Sequence, residues 1–123
     1  MNTNEFRSHI KQVRRQFGRL RIDGLLVIGP ENVRYLTGFT GHDSWALVLP
    51  RQVVLITDSR YTEQAQGECV NCRIVERKGP PAKEVQRIVS KLKGITTLAV
   101  EDSCSVAMLK VIRKSLSARI KPV

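Results

Sequence analysis

Short apolar runs closed by turn residues set the limits on how this chain folds. Leu25-Leu26-Val27-Ile28 is unbroken and ends at Gly29-Pro30, the pattern of a strand covered on both faces. Trp45-Ala46-Leu47-Val48-Leu49 and Val53-Val54-Leu55-Ile56 are two more, and only Pro50-Arg51-Gln52 lies between them, which predicts an antiparallel hairpin. Arg73-Ile74-Val75, Leu98-Ala99-Val100 and Arg119-Ile120-Lys121 are further strand candidates, the last reading as an edge strand.

The segments between have helical spacing. Phe6, Ile10, Val13, Phe17 and Leu20 form one apolar stripe, with Arg7, Lys11, Arg14 and Arg15 off it and facing water. Residues 31–36 read as a short helix after Pro30, ended by Gly38. Asp58 or Ser59 is expected to cap a helix running to about Glu68. After Gly79-Pro80-Pro81, the residues Val85, Ile88, Val89 and Leu92 give a helix its buried face, and Gly94 ends it. Ser103 or Ser105 caps a last helix whose apolar face is Val106, Leu109, Ile112 and Leu116. The predicted order is α-β-α-β-β-α-β-α-β-α-β: one α/β domain with a mixed sheet of about five to six strands flanked by helices. A chain of 123 residues buries about two thirds of its unfolded surface and builds a core without staples.

Three cysteines are an odd number for a secreted disulfide framework. Met1 to Gly18 is polar and basic, with no leader-like apolar stretch. No run approaches the ~20 apolar residues that span a bilayer, so a cytoplasmic location and no membrane partner are expected. The net charge of +10 invites a nucleic-acid reading. Its distribution argues otherwise: residues 1–21 carry six basic and one acidic side chain, 22–76 four and seven, and 77–123 eleven and three. The excess sits on helical flanks, where a basic face is usually solvated.

Two linked phrases stand out. The first is Asn32-Val33-Arg34-Tyr35-Leu36-Thr37-Gly38-Phe39-Thr40-Gly41, followed by His42 and Asp43; the second is Thr57-Asp58-Ser59-Arg60-Tyr61-Thr62-Glu63-Gln64-Ala65. Glycine permits a sharp bend and close approach to another surface, Phe39 either tucks into the core or is offered to a partner, and His42 and Asp43 add a titratable pair. Asp58 falls at the end of a strand, with Arg60 and Tyr61 expected in the first turn of the next helix, and strand ends in α/β sheets are where sites lie. The plain reading is an Asp58 cap, its Arg60 ion pair and a packed Tyr61.

At this spacing, on either side of a hairpin, the phrases resemble the N-terminal domain of creatinase and of the Xaa-Pro peptidases, prolidase and aminopeptidase P. The Asp23-Gly24-Leu25-Leu26-Val27 strand and the later Leu98-Ala99-Val100-Glu101 strand extend the resemblance over most of the chain. It implies a creatinase N-terminal, ribonuclease H-like fold. It also implies a parent peptidase whose catalytic domain, absent here, holds two divalent metal ions through Asp, Asp, His, Glu and Glu. In such enzymes the N-terminal domain builds the dimer and lends loop residues to the neighbouring subunit. Carried over, Phe39, Thr40, His42 and Asp43 are the first candidates to touch a peptide with proline in second position, and Arg60 and Tyr61 the second. The chain's partners would be its own catalytic domain and a second copy. No catalytic or metal-ligating residue is expected in the chain itself, which has His9 and His42 but no carboxylate cluster at ligand spacing. The alternatives are a peptide- or protein-binding module on the same fold without peptidase activity, as in the peptidase-like domain of the FACT histone chaperone, and a basic nucleic-acid-binding domain.

Other constellations are weaker. Cys69-Val70-Asn71-Cys72 has knuckle spacing, but a structural zinc needs four ligands and a redox pair belongs at a helix N-terminus, whereas this pair follows a helix. His42 has no nucleophile context such as Gly-x-Ser-x-Gly. No phosphate-binding glycine fingerprint is present.

Overall fold

A computed structural model describes residues 3–123; Met1 and Asn2, the start of the polar N-terminal stretch, lie outside the described residues. The elements are α1 (Thr3–Arg15), α2 (Phe17–Leu20), β1 (Gly24–Val27), α3 (Pro30–Thr37), β2 (Trp45–Val48), β3 (Val53–Thr57), α4 (Thr62–Glu68), β4 (Arg73–Glu76), α5 (Pro81–Ser90), β5 (Thr97–Val100), α6 (Val106–Ser115) and β6 (Arg119–Pro122). The strands make one six-stranded sheet in the order β4-β3-β2-β1-β5-β6. β2 is antiparallel to both neighbours, β1 and β3, while the β3–β4, β1–β5 and β5–β6 pairs are parallel. The expected mixed sheet flanked by helices is the observed fold.

All of β2 and β3 is buried, because both faces of the sheet are covered. On one face Ile10, Val33, Leu36 and Phe39 pack on Val27, Ala46, Val48 and Leu55. On the other, Val85, Ile88, Val89, Ile112 and Leu116 pack on Leu26, Leu47, Val54 and Val100. Helices thus enclose a strand pattern that reads as continuous apolar sequence.

Four local expectations change. The first helix breaks at Gln16, whose N–H bonds to the Val13 carbonyl at 3.0 Å; a tightened turn restarts the helix, and half-buried Phe17 packs against the core. α4 begins at Thr62 rather than at Asp58, because the Asp58 carboxylate accepts the Arg60 N–H at 3.0 Å and shapes a turn of its own. Arg60 and Tyr61 therefore precede the helix. α5 ends at Ser90, with Lys91 as its C-cap, so Leu92 is exposed and Gly94, at φ 82°, turns the loop beyond it. Ser105 caps α6 by accepting the Met108 N–H at 3.0 Å. That cap starts the helix at Val106, which is 70% exposed, and Met108 packs against the core instead.

Two long-range clamps tie the sheet together. Asp23, before β1, accepts the N–H groups of Thr96 and Thr97 at 2.9 and 3.0 Å. At the other end, Glu101 after β5 accepts the Gly29 N–H at 2.9 Å and the Asn32 side-chain amide at 2.7 Å. A carboxylate at the start of α3 suits the positive end of a helix.

Candidate functional site

β1, β3, β4, β5 and β6 run in one direction and β2 against them. The loop entering β2 and the turn leaving β3 therefore meet at the edge where five strands end, the place where α/β sheets carry sites. Both sequence phrases converge there.

Most of the first phrase is held by internal bonds. Tyr35 stacks on the His9 ring with centroids 3.7 Å apart, and His9 Nδ1 donates to the Tyr35 carbonyl at 2.7 Å. Thr37 is fully buried; its hydroxyl donates to the Val33 carbonyl at 2.7 Å and accepts the Phe39 N–H at 3.1 Å. Gly38 ends α3 with φ 84°, a conformation that an L side chain resists. A Cβ at Gly41 would overlap the Phe39 ring. Phe39 itself is 1% exposed and meets Tyr61 edge to face at 6.0 Å. The phenyl group therefore belongs to the core rather than to a partner.

Thr40 is exposed but clamped. Its N–H donates to Glu68 Oε1 at 2.8 Å, its hydroxyl donates to Glu68 Oε2 at 2.8 Å, and Gln64 Nε2 donates to the Thr40 hydroxyl at 3.2 Å. The Thr40 N–H holds the Glu68 carboxyl below its usual range against an opposing effect of burial. Gln64 and Glu68 belong to α4, so the two phrases brace one another across the hairpin.

The second phrase centres on Asp58. Arg60 grips it with both ends of the guanidinium, Nε to Oδ1 at 3.0 Å and a terminal nitrogen to Oδ2 at 2.7 Å. Arg77 adds a longer contact of 3.4 Å. The Arg60 hydrogen bonds pull the Asp58 pKa down to about 2, and the carboxylates of Asp58 and Asp43 raise that of Arg60. Arg60 also lies 5.0 Å over the Tyr61 ring and reaches Asp43 at 3.1 Å. Asp58 is 15% exposed in its side chain, whereas Arg60 and Asp43 are 59% and 62% exposed. The inner pair is structural and the outer one is open to water.

Of the six residues singled out in the sequence, Phe39, Asp43, Arg60 and Tyr61 form one contiguous group, and Thr40 hangs from α4 beside it. His42 is exposed; its carbonyl accepts the Ser44 hydroxyl at 2.9 Å, and Asp43 pairs with Arg60 rather than with its imidazole neighbour. Asp43 takes φ 53°, which turns the loop back toward β2. Sequence reasoning missed Glu68 and Glu101. Glu101 carries a legible signal, an acid directly after a buried strand beside a helix start. Glu68 carries none, because its partner Thr40 lies 28 positions away.

Among the described residues no group of three or more His, Cys, Asp or Glu side chains is placed to hold a metal ion. Asp58 is held between Arg60 and Arg77 and Asp43 has no second carboxylate or imidazole grouped with it as a ligand set, so this donor set does not fit the two-metal centre, and no metal-dependent step is assigned to the chain. Cys69 and Cys72 are both free thiols; Cys72 Sγ donates to the Val70 carbonyl at 3.2 Å, and the proximity of the two thiols raises the Cys69 pKa and lowers that of Cys72. No helix among the described residues is long and apolar enough to cross a membrane.

The comparisons agree with this geometry. The chain is 43% identical over 70 residues, or 57% of its length, to the uncharacterized peptidase YqhT of Bacillus subtilis (strain 168), and the match spans 20% of that protein. The Xaa-Pro dipeptidase from Bacillus anthracis superposes with a TM-score of 0.90 at 31% identity, over 99% of this chain and 34% of that one. A crystal structure of a Xaa-Pro aminopeptidase from Streptococcus pyogenes gives a TM-score of 0.91 at 28% identity, over 99% of this chain and 94% of that one. The chain thus spans about a third or less of the full length of two of these relatives. The pattern of the family described as the creatinase/prolidase N-terminal domain matches residues 9–123, and with the sheet order and the two braced phrases in place, the chain belongs to that family.

Proposed function

We propose that this chain is the non-catalytic N-terminal domain of a cytoplasmic Xaa-Pro metallopeptidase. In this reading it supports dimerisation and lends its 39–43 loop to the substrate pocket of the neighbouring subunit. The observation that carries the reading is the division within that loop. Phe39 and Thr40 are held by the fold, while His42 and Asp43 stand exposed, Asp43 tied only by a water-exposed ion pair to Arg60. An ion pair this open to water is weak, so exchanging it for a new partner costs little. Asp43 offers an acceptor to an amine and Arg60 a fork to a carboxylate, the two charged ends of a short peptide. Hydrolysis itself would belong to a downstream domain that supplies two divalent metals and their bridging water.

The test uses the longer protein that contains this chain. His42→Ala and Asp43→Ala are expected to lower kcat/KM on Xaa-Pro peptides about tenfold, or ~1.4 kcal/mol in transition-state binding, with the thermal midpoint unchanged. A subunit lacking the loop, mixed with one lacking a metal ligand, should regain activity through mixed dimers. Unchanged kcat/KM in both variants, or a reading frame beyond Val123 without the Asp, Asp, His, Glu, Glu set, would refute the proposal.

A further inference from the structure

The opposite edge of the sheet carries a feature that the peptidase reading does not use. Along one side of α1 stand Arg7, Lys11, Arg14 and Arg15, and the turn between β2 and β3 brings Arg51 across from them. These five cations line one groove of about 620 Å³, and no carboxylate lines it. Its apolar lining is Phe6, Ile10, Val53 and Val70. Arg14 is anchored, its Nε donating to the Leu49 carbonyl at 2.8 Å. Among the described residues, the side chains of Arg7, Lys11, Arg15 and Arg51 have no ion-pair partner. The sequence alone suggested that this side of the helix is simply solvated; the structure makes it the wall of a concavity.

We propose that this groove binds an acidic peptide segment that also carries apolar side chains. The charge argument is local: clustered like charges without counter-ions raise the potential in a cleft and favour an anionic occupant. Four of the five cations are arginines, whose planar forks match carboxylates two bonds at a time. The lining selects the kind of anion. Its one aromatic ring, Phe6, is 4% exposed, so it offers no platform for stacked bases, on which single-stranded nucleic acid depends; the apolar surface left open is that of half-buried Val70 and the hydrocarbon stems of the cations. Its volume lies in the range that holds a few residues of a ligand. The groove opens at the β2–β3 turn, at the far ends of these strands from Asp43 and Arg60, so an occupant leaves the other edge free.

The experiment is fluorescence anisotropy on the 123-residue chain with a labelled peptide of about twelve residues repeating Glu-Leu-Glu. Binding should weaken at least tenfold in Lys11→Glu/Arg15→Glu and, separately, in Arg51→Glu, exposed positions whose substitution leaves the circular dichroism spectrum unchanged. Replacing the peptide leucines by serine should cost a further tenfold. Affinity should also fall between 50 and 200 mM salt. Equal affinity for the charge-reversed variants would overturn the proposal. Displacement by tripolyphosphate as potent as that by the serine peptide, with no gain from leucine, would reduce the groove to a general anion site and overturn it. Tighter binding of an oligothymidylate through the same residues would overturn it in favour of nucleic acid.

Discussion

Gly38 is the sharpest test of how the first phrase works. It sits at φ 84° after α3, and a Cβ built there lies 3.0 Å from the Glu68 carbonyl oxygen and 3.1 Å from the Phe6 ring. Gly38→Ala therefore meets two separate penalties. The left-handed conformation costs an L residue about 1–2 kcal/mol, partly offset by about 0.4–1 kcal/mol from a stiffer unfolded chain. Crowding against a backbone carbonyl and a buried ring adds overpacking, which typically costs about 1–3 kcal/mol. The expected loss is about 2–4 kcal/mol. Gly94 is the internal control: its φ is 82°, but nothing lies within 4 Å of its Cβ position, so Gly94→Ala should lose only about 1 kcal/mol. Urea unfolding followed by circular dichroism gives both values, with m unchanged if the denatured state is unaltered. If the two variants unfold at the same urea concentration, the close approach of Gly38 to Glu68 and Phe6 has no energetic weight and the account of the phrase fails.

Three further perturbations test the rest of the frame. Phe39→Ala should cost about 3–5 kcal/mol, and a loss under 1 kcal/mol in thermal unfolding would place the ring outside the core. Glu68→Ala should cost about 1 kcal/mol and speed hydrogen exchange at the Thr40 amide tenfold or more, read by NMR; an unchanged Thr40 rate would break the proposed brace. Asp58 has a folded pKa depressed to about 2, so its stabilising effect is complete above its ordinary pKa of about 3.9 and is lost as pH falls toward about 2. Urea midpoints between pH 5 and pH 2 should accordingly fall less steeply for Asp58→Asn than for the parent chain, and parallel curves would contradict the pairing.

Element order was legible because short apolar runs and helical stripes alternate without ambiguity, and Gly38 and Ser105 both ended or began helices as their chemistry requires. The errors cluster where a side chain had two possible uses. Asp58 is as good a helix cap as it is a turn residue, and only the nearby guanidinium groups of Arg60 and Arg77 decide between them. Val106 satisfies helical periodicity, yet a first-turn position beside a cap points outward, and Met108 takes its place. At the candidate site, the sequence located the loop but not the division within it, since Phe39 packs on Tyr61 and Asp43 turns outward to Arg60, both partners lying beyond the hairpin. The basic side of α1 was legible as charge; its concavity arises only when the β2–β3 turn closes beside it.

The sheet order has a kinetic consequence. From β1 outward, β2, β3 and β4 follow one another in space as they do in sequence, and the clamp that braces this wing, Thr40 to Glu68, spans 28 positions. The other wing starts only when β5 returns to the far side of β1, where the Asp23–Thr96 and Glu101–Gly29 clamps span 73 and 72 positions. Closing those longer loops carries the larger entropy cost, and non-local pairing is slow. Refolding is thus expected to assemble β1 to β4 first and to add β5 and β6 last, with substitutions at Asp23 or Glu101 acting mainly on the unfolding rate.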